Sequence, residues 1–165
     1  MLKFKKAIAV MLSAVMMLSV GAMPITVNAD TIERNTYGFS VYGDFLYEIM
    51  LETNLFSPGV CIYEYMGTDT EVVVPSEING IPVVAISGDR PFKDNMTSII
   101  LPNTIEYIGR GTFRNCKSLK SIVIPDSVTI IIDEAFIGCT ALESVVFGHG
   151  ISTIGDIFQG CTRLK

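Results

Sequence analysis

The sequence predicts a β-rich solenoid built from stacked repeats of about 23 residues, and three observations carry that expectation. Ser98-Ile99-Ile100-Leu101-Pro102 becomes Ser121-Ile122-Val123-Ile124-Pro125 after a shift of 23 residues. The same shift carries Ile105 to Val128, Ile108 to Ile131, Phe113 to Phe136, Cys116 to Cys139 and Leu119 to Leu142. A third copy starts at Ser144-Val145-Val146-Phe147 and continues through Ile151, Ile154, Phe158, Cys161 and Leu164, one residue short in its second half. Self-similarity at a fixed period of about 20–29 residues marks leucine-rich repeats, with a parallel sheet along one side of the stack.

The N-terminus reads as a signal peptide over residues 1–29. Lys3, Lys5 and Lys6 give a positive start, Ala7 to Ala22 is almost wholly apolar, and Val27-Asn28-Ala29 ends in a small-residue cleavage pattern. That apolar run is about 16 residues, shorter than the ~20 a membrane-spanning helix needs. Cleavage after Ala29 leaves 136 residues, one domain's worth. Nine of the twelve basic residues then face seventeen acidic ones, a net charge of −8. Such a chain is poorly suited to nucleic acid or an anionic membrane surface, which bind through clustered Lys and Arg. The mature product is expected outside the cell, secreted or at the cell surface, without stable membrane insertion.

Residues 30–71 fall outside the repeat and read as the N-terminal β cap. Phe39–Tyr42 and Phe45–Ile49 are strand-like around Gly43-Asp44, and Val60–Tyr65 is a third candidate after the loop of Asn54, Ser57, Pro58 and Gly59. Aromatic and β-branched residues predict a small antiparallel sheet. Its task is to cover the first coil, whose apolar edge would otherwise be open.

The solenoid is expected over 72–165, in about four coils. Glu71-Val72-Val73-Val74-Pro75 is the first repeat strand, followed by Ile78, an Asn79-Gly80-Ile81-Pro82 turn, Val83-Val84, Ile86 and Phe92. Within a repeat, Ile122 and Ile124 share one face of the strand while Ser121 and Val123 share the other. Pro125 lacks an N–H and ends the strand. Val128 and Ile131 then return inward, Phe136 fills the coil, and Gly138-Cys139 turns the chain towards Leu142. Each coil is expected to add one strand, giving a four-stranded parallel sheet ~15 Å across.

These residues resemble the BspA-like leucine-rich repeats of bacterial surface proteins. The likeness rests on Ile122-Val123-Ile124-Pro125-Asp126-Ser127-Val128, Ala135-Phe136 and Cys139-Thr140-Ala141-Leu142, with Ile108-Gly109 and Ile154-Gly155 supplying an Ile-Gly step that Ile131-Ile132 lacks. It covers about residues 60–165, with Ile78-Asn79-Gly80-Ile81-Pro82-Val83 similar to the family's opening segment. The resemblance implies a secreted or surface-displayed protein, with roles in adhesion to host proteins or other cells. Ending at Leu164-Lys165, where another strand is due, the chain also reads as a truncated member of a longer array or as one whose last coil is covered by a partner.

Cys116, Cys139 and Cys161 occupy equivalent positions and stack as a ladder; gaps of 22–23 residues lack the local spacing of a metal site. In-register thiols point the same way, so buried apolar packing is the favoured reading over disulfides, and Cys61 has no partner in the sequence. His149, between Gly148 and Gly150, has no nucleophile or orienting acid beside it and reads as a turn residue. Asp126 and Asp133-Glu134 lack the alternate spacing of a Ca²⁺ loop and read as solvated charge. No catalytic, metal or cofactor site is expected, and the chain is read as non-enzymatic.

One surface remains. Val73, Ile100, Val123 and Val146 form an outward column on the repeat strands, flanked by Glu71, Ser98, Ser121 and Ser144. Branched residues suit any pleated surface, yet solenoids use their sheet faces for partners, and an exposed apolar strip is a docking feature. The expected function is adhesion-like binding of a protein or surface glycan there; the alternative is a structural spacer in a larger repeat adhesin.

Overall fold

A computed structural model describes residues 39–51 and 54–165; the expected signal segment and the first part of the cap, 30–38, lie outside them. The described residues form twelve strands and no helix. β1 (Ser40–Tyr42), β2 (Phe45–Met50) and β3 (Gly59–Tyr65) make up the cap. Each coil then contributes a first strand, β4 (Glu71–Val73), β7 (Ser98–Ile100), β9 (Ser121–Ile124) or β11 (Ser144–Phe147). Each also contributes a second strand: β6 (Ile81–Ile86), β8 (Tyr107–Ile108), β10 (Ile130–Ile131) or β12 (Thr153–Ile154). A two-residue strand, β5 (Glu77–Ile78), precedes β6.

The expected single sheet of four strands is corrected: the first strands form two separate pairs, and the second strands form a second ladder that is continuous. First strands pair in parallel as β4 with β7 and β9 with β11, with no ladder between β7 and β9. Second strands pair in parallel throughout, β6 to β8 to β10 to β12. Two residues are too few to display a period of two, so Tyr107–Ile108 and Ile130–Ile131 carry no strand signature; pairing with neighbouring coils makes them strands.

The cap is antiparallel, β1 with β2 and β2 with β3, but it is not a separate lid. β3 runs parallel to β6, aligning Val60 with Val83 and Ile62 with Ile86, so the three cap strands, with β5 paired to β6, extend the second ladder into an eight-stranded sheet. The buried backbone edge of the first coil is thereby paired, which is how an open sheet edge is neutralised. Asn79 (φ 53°) and Gly80 (φ 77°) form the two-residue turn between β5 and β6. Positive φ at both central residues is the hairpin geometry that Asn-Gly favours.

The alternation within first strands is as their sequence dictates. Val72, Ile99 and Ile122 are buried, while Val73, Ile100 and Val123 face solvent. The coil interior is filled by rings: Phe92, Phe113, Phe136 and Phe158 stack at centroid distances of 5.5, 4.9 and 5.7 Å. Offset stacking at such distances adds to the burial of the rings themselves. The return turn repeats as well, with Asn115 (φ 58°), Gly138 (φ 73°) and Gly160 (φ 79°) left-handed at equivalent positions.

Hydroxyls tie coil to coil. Thr97 Oγ1 donates to the Thr70 carbonyl (3.1 Å), Thr129 Oγ1 to Glu106 (3.2 Å) and Ser152 Oγ to Thr129 (3.0 Å). In the last coil the inward positions are less covered: Ile154 is 49% exposed, whereas its equivalents Ile108 and Ile131 are fully buried.

Candidate interaction surface

The outward column is built by register. Val73 aligns with Ile100 and Val123 with Val146, and beside them Glu71 aligns with Ser98 and Ser121 with Ser144. Val73, Ile100, Val123 and Val146 are 64%, 58%, 63% and 58% exposed, and the Ser and Glu positions are exposed too. All eight residues occupy the positions expected for them. The break between β7 and β9 divides the strip into two pairs. Four branched side chains with hydroxyls alongside offer apolar contact and neutral hydrogen bonding, with one charge at the Glu71 end.

The cysteine ladder is buried packing with one addition. Cys61, Cys116, Cys139 and Cys161 are free thiols. Cys139 Sγ donates to the Phe113 carbonyl at 2.9 Å and Cys161 Sγ to the Phe136 carbonyl at 3.1 Å. Each thiol thus satisfies a main-chain acceptor of the preceding coil. Burial pushes the Cys139 thiol up to about 12 and raises those of Cys116 and Cys161, so the thiolate form is suppressed at neutral pH. Cys61 is buried in a cluster with Val84 and Ala85, packed against Met50, Phe56, Tyr63 and Tyr107, and burial pushes its thiol up to about 12.

Asp126 and Asp133 are exposed, as expected, whereas Glu134 is half-buried, and all three are engaged between coils. Asp126 Oδ1 accepts the His149 backbone N–H at 2.7 Å and lies 3.1 Å from His149 Nδ1. These hydrogen bonds, the backbone one foremost, hold the Asp126 carboxyl below its ordinary range. Asp133 Oδ1 accepts the Asp156 N–H at 3.0 Å. Glu134 takes Arg110 at 2.6 Å and also binds Arg114, with the Arg110 hydrogen bond leading the depression of its carboxyl. The arginine pairing was not anticipated, although the period offered the signal: residue 111, one repeat before Glu134, lies between Arg110 and Arg114. Among the described residues no His, Cys, Asp and Glu grouping could hold a metal ion.

Parallel ladders, a ring stack and an exposed strand face define the class of protein as a leucine-rich-repeat solenoid. More narrowly, residues 88–165 match the model of the BspA type leucine rich repeat region, in six copies. Three solved structures are similar. A leucine-rich repeat protein from T. pallidum is 26% identical, TM-score 0.51, with 73% of this chain and 66% of that one covered. A leucine rich cell surface protein from Faecalibacterium prausnitzii A2-165 is 23% identical, TM-score 0.56, covering 76% of this chain and 41% of that one. A leucine-rich repeat protein from Bacteroides capillosus is 22% identical, TM-score 0.60, covering 71% and 88%. The chain therefore spans less than two thirds of the length of the first two. No curated protein sequence matches it. Solenoids of this class typically serve as interaction scaffolds. Among the described residues, no helix is long and apolar enough to cross a membrane.

Proposed function

We propose that this chain is a non-enzymatic interaction module, secreted or displayed at the cell surface, that binds a protein or surface glycan in an adhesion-like manner through its first-strand face. The observation that carries the reading is the column Val73, Ile100, Val123 and Val146, each more than half exposed while Val72, Ile99, Ile122 and Ile124 on the same strands are buried. A rigid stacked sheet loses little conformational freedom on contact, so modest apolar area can yield useful affinity. The Lys-led, apolar first 29 residues support export, and one structural neighbour is described as a cell surface protein.

The test is a double substitution, Val123→Lys with Val146→Lys. Wild-type and variant chains are compared for retention on immobilised extracellular-matrix protein and on intact cells. Retention should vanish while the melting temperature is nearly unchanged, because both side chains leave the core untouched. Undiminished retention by the variant would make the strip structural only.

A second reading, an architectural spacer in a larger repeat protein, is supported by the thin cover of the last coil, where Phe147 is 37% and Ile154 49% exposed. Fusing a further 23-residue unit after Lys165 tests it: the spacer reading expects a higher melting temperature and loss of that exposed apolar surface.

A further inference from the structure

We propose that two copies of this chain associate end to end, the open edge of β11 pairing antiparallel with the same edge of a second copy across a two-fold axis at Val146. Among the described residues β11 has a ladder partner on one side only, β9, and β12 likewise has only β10. An open edge presents a row of main-chain donors and acceptors to any strand that can reach it. The surface beside it is apolar. Phe147 and Ile154 are exposed, and Phe158 is half-buried. What lies bare here is the side of the coil that, at the equivalent Ile131 and Phe136, the following coil covers completely.

Charge favours a second copy in that place. Residues 143–165 hold Glu143 and Asp156 against Arg163 and Lys165, so the last coil has no net side-chain charge. Residues 30–71 hold eight acidic residues against Arg34 alone. Joining last coil to last coil sets these acidic caps at opposite ends of the pair, where they repel least. A head-to-tail arrangement would lay the last coil of one copy against the cap of the next. There β3 already occupies the edge of β6.

The register follows from which main-chain groups are free. Ser144 N–H donates to the Lys120 carbonyl and Gly148 N–H to the Ile124 carbonyl. By the alternation of a strand, Ser144, Val146 and Gly148 turn their main-chain groups towards β9, and Val145 and Phe147 turn theirs to the open edge. An axis at Val146 sets Val145 against Phe147 of the second copy, twice over, for four N–H···O bonds. An axis at Val145 would need the Glu143 main chain, whose N–H is bonded to Lys120 and whose carbonyl accepts the Lys165 N–H. An axis at Phe147 would need the His149 N–H, which Asp126 Oδ1 holds. With the axis at Val146 the faces match: Val145 and Phe147 meet on the inward side, and the two Val146 side chains meet on the outward side. The outward columns of the two copies then run into one another.

The experiment uses the chain from residue 30 onward, which holds every described strand. Sedimentation velocity over about 1 μM to 1 mM should show monomer passing to dimer. No larger species should form, because a two-fold contact closes on itself. Val146→Lys and Val146→Glu each set like charges face to face at the axis, and each should weaken the dimer about tenfold or more. The melting temperature of the dilute monomer should hold, since Val146 is exposed. Mixing the two variants should restore a dimer with one chain of each. Val123→Lys alone, one strand back from the edge, should leave the dimer intact, which separates this contact from partner capture by the column. A wild type that stays monomeric at the highest concentration overturns the proposal and leaves the edge to a strand of another protein. So does association unmoved by Val146→Lys or Val146→Glu, or a mixture of the two that fails to recover it.

Discussion

The ring of Phe136 lies 4.9 Å from that of Phe113, with their planes 16° apart, and both are fully buried. Twenty-three residues separate them in sequence, yet each ring forms the floor or ceiling of the other's pocket. Consecutive coils are therefore coupled through their centres as well as through their ladders.

Removing one ring should open a cavity bounded above and below by the remaining stack. Phe136→Ala is expected to cost ~3–5 kcal/mol, measured by urea or thermal unfolding. Phe158→Ala should cost clearly less, because Phe158 ends the stack and is only partly buried. Equal losses at the two positions would argue that the stack does not carry the stability.

The thiol ladder predicts an order of chemical reactivity. Cys116 and Cys139 are fully buried with raised thiol pKa, whereas Cys161 is partly exposed. Under native conditions at neutral pH, alkylation followed by mass spectrometry should label Cys161 first. Cys116 and Cys139 should be labelled only on unfolding. Early labelling of Cys139 would show that the coil opens locally.

Acid should loosen the contacts between coils. Asp126 and Glu134 have folded-state carboxyl pKa values below their ordinary ones. Their contribution to stability is thus complete above the ordinary carboxylate range and is lost as pH falls through the lowered folded values. The melting temperature of wild type should drop across that acidic window, and Asp126→Asn with Glu134→Gln should flatten the drop. An unchanged slope in the double variant would assign acid sensitivity to other groups.

Glu134 combines two opposed effects. It holds φ 63°, while one repeat earlier Gly111 holds φ 67°. Glu134→Gly relieves a conformation that a side chain disfavours but removes the partner of Arg110 and Arg114. Because exposed ion pairs are screened by salt, the variant should gain on wild type as salt is raised, and thermal melts at low and high salt measure this. A gap independent of salt would mean that the pairs contribute nothing.

The period of 23 made the inward spine readable without coordinates: Ile99, Ile122, Phe113, Phe136 and Leu142 are buried where the shift put them. It made the outward column readable for the same reason, since a pleated strand must alternate its side chains. Hydrophobic pattern is a local property, and repetition averages away its noise. The second ladder was not readable, because Tyr107–Ile108 and Ile130–Ile131 become strands only through hydrogen bonds to coils above and below. Nor were the merger of β3 with β6 or the Glu134 pairing with two arginines. Each depends on how segments far apart in the chain meet, and those meetings are set by the stacking itself rather than by any residue's neighbours in sequence.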